Sequence, residues 1–83
     1  MRWEELKGAV EATAKELFPN STLSVDVSEN KLMIKGEGNG GIEQVLGKLA
    51  ELAAKAAKLS GNTRVDLIVS VQEPFYMFEL EVY

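Results

Sequence analysis

Glu79 and Glu81 are the residues best spaced for chemistry in this chain. They lie two apart in an alternating run and so fall on one side of a strand. Carboxylates paired in this way can serve as acid and base or hold a divalent cation. The same parity turns them toward Lys31 and Lys35 of another strand, and cross-strand ion pairing is the expectation. A second stretch, Gly36-Glu37-Gly38-Asn39-Gly40-Gly41, reads as a flexible connection and fits G-x-G-x-x-G between a strand and a helix. That arrangement can cradle phosphate on a helix N-terminus. Here Glu37 and Glu43 would repel the anion, the preceding strand belongs to a hairpin, and no acid follows where a ribose would need one. The expectation is a glycine-rich loop whose backbone caps the next helix.

The residue inventory narrows the chemistry further. The chain has no histidine and no cysteine, which removes the commonest general base, the commonest metal ligand, the thiolate nucleophile and any disulfide. The expectation is a protein that is not an enzyme and that carries no cofactor and no metal. A net charge of -4 and the lack of a basic stripe argue against nucleic acid. The opening Met1-Arg2-Trp3-Glu4-Glu5 has no apolar core behind a basic head, so it is not a signal peptide. Glu51, Lys55 and Lys58 interrupt the Ala-rich run and argue against a membrane span. A soluble cytoplasmic protein, made by recombinant expression, is expected.

The elements that must position these residues follow from periodicity. Residues 2–18 form an amphipathic helix with Trp3, Leu6, Val10, Ala14, Leu17 and Phe18 on one side, stopped by Pro19. Leu23, Val25 and Val27 then alternate with polar residues, and Glu29-Asn30 makes a two-residue turn. Counting outward from that turn pairs Val27 with Leu32 and sets Leu32 and Ile34 on the same apolar face. A second helix over 42–59 carries the stripe Ile42, Val45, Leu46, Leu49, Leu52, Ala53, Ala56 and Leu59, with Ser60-Gly61-Asn62 as its cap. Residues 63–72 point Val65, Leu67, Val69 and Val71 inward, and Glu73-Pro74 pairs Val71 with Tyr76. Proline at the second central position predicts a bulge or a slightly longer loop there. Gly8 and Gly47 match between the two helices, and close approach to a neighbour is the expected reason.

A single domain over 1–83 results, with the order αββαββ. Its fold class is α+β, two helices on one face of a four-stranded antiparallel sheet, a two-layer sandwich. The last strand, Phe75–Tyr83, is apolar on both faces and belongs in the middle, which gives the sheet order 1-2-4-3. This topology resembles the ferredoxin-like fold, circularly permuted so that the usual first strand stands at the C-terminus. The agreement of hydrophobic pattern with turns along the chain also resembles a computationally designed protein. That resemblance implies a structural scaffold with no evolved activity.

One surface competes with that reading. Met33, Ile68, Phe75, Met77 and Tyr83 all project to the outer face of the sheet, away from the helices. Exposed apolar patches usually mark contact, so the alternative is a small interaction module that self-associates or binds a partner there. No other partner is expected beyond a weak homodimer through this face.

Overall fold

The computed structural model describes residues 3–61 and 64–83. The predicted contributions of Arg2, Asn62 and Thr63 lie outside the described residues. The order is α1 (Trp3–Leu17), β1 (Thr22–Val27), β2 (Leu32–Asn39), α2 (Ile42–Leu59), β3 (Val65–Gln72) and β4 (Phe75–Val82). The strands form one antiparallel sheet in the order β1-β2-β4-β3, as the sequence predicts.

Helix α1 buries Leu6, Val10, Thr13 and Ala14, a stripe at helical spacing. Thr13 is tolerated in that stripe because its hydroxyl donates to the Ala9 carbonyl at 3.0 Å. The helix ends where Phe18 N–H bonds Ala14 O and Pro19 follows. Helix α2 closes on Gly61, which has φ +82 and donates to Lys58 O. The core is a single cluster of Leu6, Val10, Ala14 and Phe18 from the first helix and its end, Val45, Leu49, Leu52 and Ala56 from α2, and the inward residues of β2 and β4.

Both hairpins keep the predicted register, with Val27 opposite Leu32 and Val71 opposite Tyr76. The turn at Glu73-Pro74 is tighter than expected. No bulge intervenes, Gln72 faces Phe75 directly, and the Glu73–Pro74 peptide is cis, the isomer of turns with proline at the second central position.

Three expectations need correction. Gly36–Asn39 is strand, not loop, and pairs with β4 from Gly36↔Phe78 to Asn39↔Phe75, so the connection to α2 shrinks to Gly40-Gly41. The cause is aromatic: a Cβ at Gly36 would fall on the Phe78 ring and within 2.8 Å of Leu23 Cδ2. Glycine leaves room for the ring to come close to the strand backbone. The α2 stripe is also narrower than predicted, because Ile42, Leu46 and Leu59 stay exposed. Gly8 and Gly47, finally, face open space, and a Cβ at either would meet nothing within 4 Å. Close approach does not explain them.

Candidate interaction face

The outer sheet face is built by parity. On β4, Phe75, Met77, Glu79 and Glu81 alternate with the buried Tyr76, Phe78, Leu80 and Val82. All five predicted residues project to this side, but they do not form one patch. The register divides them.

At one end, Met33 stands directly opposite Glu81, which in turn faces Asp66 of β3. Lys31 Nζ and the Tyr83 hydroxyl both donate to Glu81 Oε2, at 2.7 and 2.9 Å. Arg64 forks onto Asp66 with bonds of 3.0 and 2.9 Å, and its guanidinium carbon lies 5.0 Å from the Tyr83 ring centre. Lys31 Nζ approaches the same ring at 5.8 Å. Tyr83 therefore belongs to a charged cluster and not to an apolar patch. The Lys31 bond, followed by the Tyr83 bond, holds the Glu81 carboxyl below the usual carboxylate range. The bond to Glu81 pushes Lys31 up, and it also raises Tyr83, with burial adding to the latter. Glu79 takes Lys35 at 3.7 Å. Each carboxylate of the predicted pair thus has its own cation, as the cross-strand reading expects, and neither faces the other across a cleft. Among the described residues, no three acidic side chains gather to hold a metal.

At the other end, Ile68, Phe75 and Met77 are 54%, 62% and 55% exposed. Phe75 and Met77 are successive outward residues of β4, and Ile68 sits diagonal to Met77 across β3. Glu37, Asn39, Ser70 and Gln72 surround them with polar atoms. A shallow groove of about 400 Å³ runs from Ile68 and Met77 past Gly36 to Thr22 and Ser24. It is an apolar floor with a polar rim, the form of a contact surface. It presents no converging acid, base and donor.

The anion cradle that the G-x-G-x-x-G spacing would allow is not formed, because Gly36 and Gly38 are committed to the sheet. At the start of α2, Ile42 N–H donates to Glu73 Oε1 at 3.2 Å. A carboxylate from the β3–β4 turn thus occupies the helix N-terminus where phosphate would sit. Sequence reasoning missed Glu73, and no local signal marks a cap that arrives from another hairpin. Lys48 is exposed and keeps its ammonium 5.7 Å over the Phe18 ring. No described helix is long and apolar enough to cross a membrane. The chain matches no protein-family model and no curated protein.

Proposed function

We propose that the chain is a structural scaffold of the designed, permuted ferredoxin-like kind, with no evolved biochemical activity. One observation carries this reading: the levels of structure agree. Both hairpin registers bring every inward position of the four strands to one face, and among the described residues each buried side-chain N or O atom has a hydrogen-bond partner. Such consistency is what idealised sequences are chosen for. The decisive experiment is thermal unfolding combined with native mass spectrometry. A designed scaffold should melt above about 90 °C, where hyperstable domains lie, and fly as bare chain without a co-purified small molecule. A melt in the range of about 45–65 °C, or a retained ligand, would overturn the reading.

A second reading rests on the exposure of Ile68, Phe75 and Met77: an interaction module working through the outer sheet face. On that reading Met77→Lys abolishes association with a second copy or a partner and leaves thermal stability nearly unchanged, since Met77 is exposed. A variant that unfolds would place Met77 in the core and refute it.

A further inference from the structure

The two edges of the sheet differ. Edge strand β1 is short and carries Thr22, Ser24 and Asp26 outward, with Pro19 just before it. Edge strand β3, VDLIVSVQ, has no proline, no lysine and no bulge. Natural sheets use such devices to blunt an edge, and on β3 Asp66 is the one charged residue, itself neutralised by Arg64.

The hydrogen-bond phase shows what this edge offers. Tyr83 N–H bonds Arg64 O, and Gly40 N–H bonds Pro74 O. In an antiparallel ladder those bonds alternate, so the even-numbered residues of β3 are turned to β4. Val65, Leu67, Val69 and Val71 therefore point their N–H and C=O groups at the open edge. Leu67 belongs to the helix-facing side yet is 37% exposed, and on α2 Ile42 and Leu46 are 40% and 45% exposed. Lys48 faces Phe18 at the end of α1, and Leu46 lies almost half a turn round the helix from it. The apolar flank of α2 is thus directed to the β3 side, continued by Ala53 and Ala57.

We propose that a second copy of this chain binds there, β3 against β3 in antiparallel pairing about a two-fold axis at Ile68, so that one sheet runs through both copies. This goes beyond the scaffold reading and uses a different surface from the outer face. The register follows from the phase. It pairs Val65 with the partner's Val71 and Leu67 with the partner's Val69, so every edge-facing group is bonded. A slip of two residues leaves a pair unmatched, and a slip of one opposes groups already turned to β4. On the outer side Arg64 meets the partner's Gln72, Asp66 the partner's Ser70, and Ile68 its own copy, so no like charges oppose. On the helix side α2 sits over β3 and β4. Strands about 4.8 Å apart then set the two antiparallel α2 helices roughly 10 Å apart, a packing distance at which the flank of Leu46, Ala53 and Ala57 closes on the same flank of the second copy. The contact has the self-complementary form of a closed dimer.

Native mass spectrometry and sedimentation over a concentration series test this on the wild type and three variants of the full chain. The wild type should move to twice the chain mass as concentration rises. Leu46→Glu puts a charge on the α2 flank, and Val69→Pro removes an N–H that faces the open edge while sparing the β3–β4 ladder. Both should lose the dimer and keep an unchanged far-ultraviolet circular dichroism spectrum. If Val69→Pro fails to fold, Leu46→Glu decides alone. Met77→Lys should stay dimeric. A wild type that is monomeric throughout overturns the proposal, and so does a dimer lost in Met77→Lys but kept in Leu46→Glu, which would assign association to the outer face.

Discussion

The two ends of the sheet are built from the same four strands on opposite plans. At the Lys31–Lys35 end of β2 the inner face is aliphatic, with Leu32 and Ile34 facing Val82 and Leu80, and the outer face is tied by Lys31–Glu81 and Lys35–Glu79. At the Gly36–Asn39 end the inner face is aromatic. Gly36 faces Phe78, Gly38 faces Tyr76, and Phe18 closes the cluster with ring centres 5.1 and 6.0 Å away. Outside, Phe75 and Met77 stand exposed. The difference shows that β2 trades side chains for ring space over half its length. The large rings that fill the core there leave no inward side chain on β2, and the matching outer positions carry no ion pair to shield the apolar groups of β4. The end of the outer face where Phe75 and Met77 stand exposed is the end built on glycine.

The sharpest way to break this comparison is to give β2 a side chain at its glycine end. Gly36→Ala should cost about 1–3 kcal/mol, because the new Cβ overlaps a Phe78 ring already boxed in by Phe18 and Tyr76. The same change at Gly47 of α2 should instead raise stability by up to about 1 kcal/mol, since nothing stands within 4 Å. Denaturant midpoints of the two variants measure both. Equal effects would mean that Phe78 does not dictate the glycine.

A smaller effect is expected from the polar tip of the aromatic cluster. The Tyr76 hydroxyl bonds Ser21 Oγ directly above Gly38, where a Cβ would lie 2.9 Å from that hydroxyl. Tyr76→Phe should cost about 1 kcal/mol, the usual net value of such a bond. Ser21→Ala should match it, and the double variant should add little more, because both single changes remove the same bond. Full additivity in that cycle would show that the two groups act independently.

The same contrast explains what could be read without coordinates. Strand parity was legible wherever a side chain occupies each inward position. Val27 with Leu32 and Val71 with Tyr76 fix both hairpins, and the doubly apolar Phe75–Val82 run marks the central strand. Legibility failed at Gly36–Asn39, where local preference favours a loop. The alternation does continue there, with glycine at the inward positions and Glu37 and Asn39 outward, but its cause is Phe78, a residue remote in sequence. Parity likewise set Tyr83 and Met33 on the outer face and turned Glu81 toward Lys31, without telling that Tyr83 itself joins that ion pair and lies against Arg64. The face is a property of one strand. The neighbourhood along it is a property of the register of three.

The smallest expected effect probes the charged end and has two limbs. Glu81 titrates lower in the fold than in the unfolded chain. Its contribution is therefore present above the unfolded carboxylate value and is lost as pH falls through the depressed folded value. Lys31 titrates higher in the fold, so its contribution is complete below the unfolded value and is lost as pH rises through the raised one. Tyr83, also raised, loses its part on the same alkaline side as it ionises and can no longer donate to Glu81. Glu81→Gln should thus lower the urea midpoint slightly at neutral pH, and the gap from the wild type should close in acid. High salt should shrink the gap as well, because these groups are reached by solvent. The matching change at the glycine end, Glu37→Gln, breaks no ion pair among the described residues and should leave the urea midpoint almost unchanged. A Glu81→Gln gap that persists in acid would mean that the side chain supports the fold by packing, and the charged end would then differ from the aromatic one only in shape.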